Sequence, residues 1–97
     1  MNDKLLKLEQ TLSYKFKNNK LLINAVTHKS YDKINNNERL EFLGDRILGL
    51  IISEKLFSET ENTNEGLLDK KFSKLVNKLT CAEIAKQILL GDYILLG

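Results

Sequence analysis

Three acids set the terms for this chain. Glu38, Glu41 and Asp45 stand at spacing i, i+3 and i+7 in a stretch that opens at Asn36 or Asn37 and runs to about Phe57. At 3.6 residues per turn they fall within roughly 60° of one another on a helical wheel. The same stretch carries Leu40, Leu43, Ile47, Leu50 and Ile51 on one face, and Phe42, Leu48, Ile52 and Leu56 on the opposite side. Only Arg39, Arg46 and Ser53 form a polar stripe. A helix that is apolar on two sides is normally buried on two sides, and the acids share their side with Phe42 and Ile52. A desolvated charge is costly unless it is paired or bound to a cation, so something should compensate these carboxylates.

Two compensations are open. Arg39, Arg46 or a lysine from elsewhere can pair with the acids along an exposed edge, as charged helix faces commonly do. Alternatively, carboxylates one turn apart, such as Glu41 and Asp45, offer hard oxygen ligands to a divalent cation such as Mg²⁺. Gly44 and Gly49 each disfavour a helix by about 1 kcal/mol against alanine, which predicts close approach of another backbone or helix.

The rest of the chain reads as helices around this one. Leu5, Leu8, Leu12 and Phe16 give a first amphipathic helix with Asp3 as its N-cap, and Asn18-Asn19 interrupts it. Lys20 to Val26 reads as a second helix with Leu21, Leu22, Ala25 and Val26 inward, followed by a polar surface connection from Thr27 to Asn37. His28, at the start of that connection, reads as a structural hydrogen-bonder before a catalyst. Asn35-x-x-Glu38 is close to a capping box for the central helix. After an acidic-polar loop, Ser58 to Asn64, a fourth helix runs from about Glu65 to Asn77. Thr80-Cys81-Ala82-Glu83 forms a capping box for a fifth, Ala82 to Leu89, with Gly91 placed as its C′ residue. There is no proline, no internal repeat and no alternation of period 2. The expectation is an all-α fold of five helices in one domain.

Composition excludes more than it assigns. A chain of 97 residues with 42% hydrophobic and 29% charged residues is ordinary for a globular domain. No apolar run approaches the ~18 residues of a membrane span, and no signal peptide is indicated. The single cysteine, Cys81, forms no internal disulfide, fits a reducing cytoplasm and reads as a small core residue. A net charge of +2 permits nucleic-acid binding without arguing for it. Lysines cluster at 15–20 and 70–78, either as solvated helix faces or as phosphate contacts.

The residues Asn37-Glu38-Arg39-Leu40-Glu41-Phe42-Leu43-Gly44-Asp45 carry a resemblance of their own. They look like the signature motif of the ribonuclease III family, the double-stranded RNA endonucleases, and the match runs on through Ile47-Leu48-Gly49-Leu50. Leu22 to Ser30 resembles the family's upstream helix and its Thr-His-x-Ser corner. Glu65-Gly66, Leu75-Val76, Ala82-Glu83-Ile84-Ala85 and Leu90-Gly91 to Gly97 also fit, so the resemblance covers essentially the whole chain. Arg46 departs from it, since the family usually has a small residue there.

The resemblance implies a helical bundle of the ribonuclease III endonuclease-domain type, truncated at its C-terminal side. It implies that 1–97 is a partial catalytic domain, lacking the later helices with a second acidic pair and the double-stranded-RNA-binding domain. It further implies Mg²⁺-dependent hydrolysis of phosphodiester bonds in duplex RNA, with Mn²⁺ as a substitute, in processing such as ribosomal RNA precursor maturation. Glu41 and Asp45 would be metal ligands, and Glu38 and Glu65 supporting acids of the same cleft. A homodimer through the face around Phe42 and a cytoplasmic location go with this. On that reading the chain alone is inactive. A non-catalytic dimerisation or RNA-binding module of the same fold is the alternative, and a helical interaction domain with merely salt-bridged acids is a third.

Overall fold

A computed structural model describes residues 2–97. The first helix, α1 (Asp3–Leu12), starts on Asn2, whose side-chain oxygen accepts the Leu5 N–H at 2.9 Å. The cap is therefore Asn2 and not Asp3. Asp3 becomes the first helical residue, where its charge meets the positive end of the helix. Ser13 closes α1 in the left-handed conformation at φ 53°. The returning chain is tied down by Glu9, a buried carboxylate that accepts the Phe16 N–H at 2.7 Å.

Helix α2 (Asn19–Ala25) is capped by Asn18, which accepts the Lys20 N–H at 3.0 Å. Leu22 and Val26 are buried, whereas Leu21 and Ala25, expected inward, are exposed. With Leu5 and Leu8 of α1, Leu22 and Val26 make a small core. Phe16 and three residues of the tail, Leu90, Tyr93 and Ile94, pack against it. The tail then runs beside the end of α2 in an isolated parallel bridge, Thr27 with Leu95. The Leu95 N–H donates to the Val26 carbonyl at 2.8 Å, and the His28 N–H to the Leu95 carbonyl at 3.0 Å.

The corner after α2 sets the start of the central helix. Asp32 accepts the Ile34 and Asn35 N–H groups, each at 2.9 Å. These bonds, that from Asn35 foremost, lower the Asp32 pKa below its ordinary value. Asn36 accepts the Glu38 N–H at 3.0 Å, and the Asn37 N–H donates to the Thr27 carbonyl at 2.9 Å. Helix α3 (Glu38–Glu59) thus begins one or two residues later than expected, with Asn36 supplying the side-chain bond assigned to Asn35.

α3 leaves the core rather than entering it. None of its residues is buried, and Phe42, at 62% exposure, stands in solvent. Burial on two sides, expected from its composition, does not occur within this chain. Helix α4 (Glu65–Leu75), capped by Asn64 on the Leu67 N–H at 2.9 Å, lies along α3. Gly49 marks that contact, since a Cβ there would meet the Phe72 ring at 3.6 Å. Nothing lies within 4 Å of such an atom at Gly44, so the close approach expected there is absent.

Helix α5 (Lys78–Gln87) begins four residues before the expected Ala82. Asn77, not Thr80, is the cap: its oxygen accepts the Thr80 N–H at 2.8 Å, and α4 accordingly ends short of it. The left-handed residue after α5 is Leu89, at φ 56°, not Gly91, which lies in the 3-10 turn Leu90–Tyr93. Cys81, expected in the core, is exposed. Among the described residues there is no regular strand, and no helix is long and apolar enough to cross a membrane.

Candidate metal centre on the central helix

Glu38, Glu41 and Asp45 all stand on the exposed first half of α3 and line one open groove. Its floor on the α3 side includes Phe42, Gly44 and Leu48, and its far wall is Val76, Asn77, Lys78 and Cys81 at the junction of α4 and α5. The sequence reading located the acids but missed the far wall. The signal available for it was Lys78, a cation placed directly after the Asn77 cap, at the helix end where positive charge is least favoured.

Glu38 and Glu41 occupy the first turn of α3, where the helix dipole supports negative charge. Being exposed, the acids escape the desolvation cost expected from a buried side, and the compensation they need is correspondingly small. Asp45 has a partner: Arg46 Nη1 lies 3.4 Å from Asp45 Oδ2, with both side chains about two-thirds exposed. The Arg46 guanidinium also sits over the Phe42 ring, 4.0 Å from its centroid. Of the two compensations, pairing with arginine is therefore present for one acid, Asp45.

The donor chemistry of Glu41 and Asp45 suits a hard divalent cation, since both present carboxylate oxygens one helical turn apart without burial to overcome. Two such groups leave most of an octahedral shell to water. Although three acids share the groove, among the described residues no three acids, histidines or cysteines are grouped closely enough to hold a metal ion together. Glu65 is placed elsewhere. It lines a second groove, with Leu50, Glu54, Phe57, Asp69 and Phe72, between α4 and the C-terminal half of α3. At 1.5 Å per residue, Glu54 is roughly 13 Å further along the α3 axis than Asp45. His28 belongs to the corner: the Ser30 N–H donates to His28 Nδ1 at 3.1 Å, and the Ser30 hydroxyl lies 2.7 Å from the same nitrogen.

A family model described as Ribonuclease-III-like matches residues 18–97, a span that includes the corner, the acid groove and both its walls. The chain belongs to the ribonuclease III-like family. Proteins named Ribonuclease 3 are similar throughout: that of Pelagibacter ubique is 58% identical over 90 residues, 93% of this chain and 40% of the relative. That of Campylobacter fetus is 53% identical over 95 residues, 98% of this chain and 43% of the relative. The chain therefore spans about two-fifths of the length of the curated relatives it matches.

The solved structures agree on the fold. A nuclease domain of ribonuclease III from Campylobacter jejuni, described for structural flexibility in a region involved in dimer formation, superposes with a TM-score of 0.90 at 52% identity. The match covers 94% of this chain and 64% of that one. A second structure of the C. jejuni nuclease domain gives 0.89 at 46% identity, covering 99% and 65%. The all-α architecture expected from the sequence is thus that of ribonuclease III nuclease domains.

Proposed function

We propose that this chain is the N-terminal part of a ribonuclease III-type endoribonuclease domain that hydrolyses phosphodiester bonds in duplex RNA with Mg²⁺, or Mn²⁺ in its place. The observation that carries the reading is the shared groove of Glu38, Glu41 and Asp45 on the solvent side of α3, in a chain of this family. Glu41 and Asp45 hold the cation through carboxylate oxygens, and Glu38, one turn before, adds negative charge to the same wall. Bound there, a divalent cation supplies an activated water and neutralises charge on the scissile phosphate. Lys78 on the opposite wall provides positive charge facing the acids. Glu65 keeps a supporting role only if a second copy, or residues beyond these 97, bring its groove to the RNA.

Duplex RNA is read by its shape and by phosphate and 2′-hydroxyl contacts on two strands. A two-fold homodimer, associating through the α3 face around Phe42, provides two such grooves. The exposure of Phe42 and the dimer-forming region of the C. jejuni relative support it. The cytoplasm is the proposed setting, supported by the exposed lone thiol of Cys81. The 97 residues alone are expected to be inactive, because misplacing or under-coordinating a catalytic metal lowers rates by orders of magnitude. The apolar α3 face equally suits a non-catalytic dimerisation or RNA-binding module of this fold, and metal binding separates the two.

Calorimetric titration tests this. Mn²⁺ is expected to bind weakly, and the double substitution Glu41→Gln, Asp45→Asn to abolish the binding. An Mn²⁺ affinity left unchanged by that pair would remove the metal site and leave the non-catalytic module.

A further inference from the structure

Arg46 touches two groups with different tasks in the reading above, on which this inference rests. Its Nη1 is 3.4 Å from Asp45 Oδ2, and its Cζ lies over the Phe42 ring, 4.0 Å from the centroid. One side chain thus serves as counter-ion to a proposed metal ligand while resting on the ring of the largely exposed aromatic anchor of the proposed interface. A cation on Asp45 displaces it from the first contact, and a partner on Phe42 displaces it from the second. We propose that Arg46 is a resident latch that links cation binding at Asp45 to self-association through Phe42.

The sign of the linkage follows from the contacts. A divalent cation at Asp45 replaces the guanidinium electrostatically and repels it, so Arg46 loses one of its two anchors and leaves the Phe42 ring more readily. A second copy docking on Phe42 strips away the cation–π contact, and Arg46 then holds Asp45 less firmly against a competing cation. Each event favours the other, and by thermodynamic reciprocity the two factors are equal. Lys78 lines the same groove but forms no ion pair with Asp45 among the described residues, so the latch belongs to Arg46 and not to groove charge in general.

The size is modest. Exposed ion pairs contribute about 0.2–1 kcal/mol, which converts to a change of up to about fivefold in each binding constant. Sedimentation equilibrium of the 97-residue chain with and without Mn²⁺, paired with Mn²⁺ titration, reads it. For the native sequence, Mn²⁺ should tighten association by about two- to fivefold. Arg46→Ala should bind Mn²⁺ tighter by a similar factor, and should associate equally well with and without the cation. Arg46→Lys keeps the charge near Asp45 but loses the guanidinium group that contacts the ring, so its Mn²⁺ affinity should stay near the native value while the linkage shrinks. Lys78→Ala should retain the linkage.

Association of the native chain indifferent to Mn²⁺ would overturn the latch. So would Arg46→Ala binding Mn²⁺ no more tightly, and weaker binding would show that Arg46 orients Asp45 instead. Both results leave the metal site standing. Mn²⁺ binding that survives Glu41→Gln, Asp45→Asn removes the site itself, and the latch with it.

Discussion

Single residues hold the corner from which α3 departs. Asp32 accepts two backbone N–H groups, and those bonds favour its charged form, so its pKa lies below the ordinary 3.8. A depressed carboxylate adds stability above its unfolded pKa and loses it as pH falls through the folded one. The turn is therefore expected to be intact at neutral pH and to loosen only below about pH 3.8. Amide exchange at Ile34 and Asn35 measures it: both should lose protection in acid, and Asp32→Asn, which keeps an acceptor oxygen, should flatten the pH dependence. Protection that declines already near pH 6 would assign the corner's stability to another group. Residues of this kind were only half legible. The run Asn35-Asn36-Asn37 announced a cap for α3, but three adjacent asparagines offer the same chemistry. Which one is used depends on Asp32 folding back and on the Thr27 carbonyl claiming Asn37.

At the scale of elements, apolar periodicity located all five helices, and capping competition decided where the sequence reading slipped. Thr80-x-x-Glu83 has the form of a capping box, yet α5 starts at Lys78 with Asn77 as its cap. Asn77 does two jobs that Thr80 cannot. Its oxygen caps the Thr80 N–H, while its amide donates to the Ser73 and Lys74 carbonyls at 2.8 and 3.0 Å, closing the end of α4. The Thr80 hydroxyl instead donates to the Lys74 carbonyl at 3.0 Å. One side chain thus fixes both helices at the wall facing the acid groove. Asn77→Ala should lower stability by about 1 kcal/mol, the usual value of a lost N-cap, and Thr80→Ala by less. Chemical denaturation of the two variants compares them, and equal losses would mean that Asn77 acts as a cap alone. The grouping of the acids was more legible than the elements' ends. Glu38, Glu41 and Asp45 fall on one face because 3.6-residue geometry leaves no choice, whereas Glu65 and the Lys78 wall depend on how α4 and α5 fold back, which no local pattern encodes.

Across the whole molecule, the apolar sides of α3 were plain in the sequence, but nothing there could say whether this chain covers them. It does not. The accessible surface is 8093 Å², against roughly 5,700 Å² expected of a compact monomer of 11.1 kDa. The radius of gyration, 15.8 Å, likewise exceeds the roughly 12.5 Å of a compact chain of this length. The excess surface, about 2,400 Å² per chain and so about 4,800 Å² for a pair, falls within the total area buried in obligate interfaces, about 2,000–5,000 Å². Much of it is apolar and lies along α3, where Phe42, Leu50 and Phe57 are each more than 60% exposed. Against that stands, among the described residues, a core of four buried aliphatic side chains, each contributing about 1.5–3 kcal/mol by burial, and the ordering entropy of the chain opposes them. The isolated monomer should consequently be marginal, below the 5–15 kcal/mol usual for a folded domain. Closed two-fold pairing through Phe42 is the simplest way to cover the face, since one self-complementary patch satisfies both copies. Sedimentation at micromolar concentration should find a dimer, Phe42→Ala should shift it towards monomer, and the melting temperature should rise with protein concentration. A monomer that melts cooperatively at a temperature independent of concentration would mean that the helices repack in solution to bury α3 themselves, and that Phe42 is not an association surface.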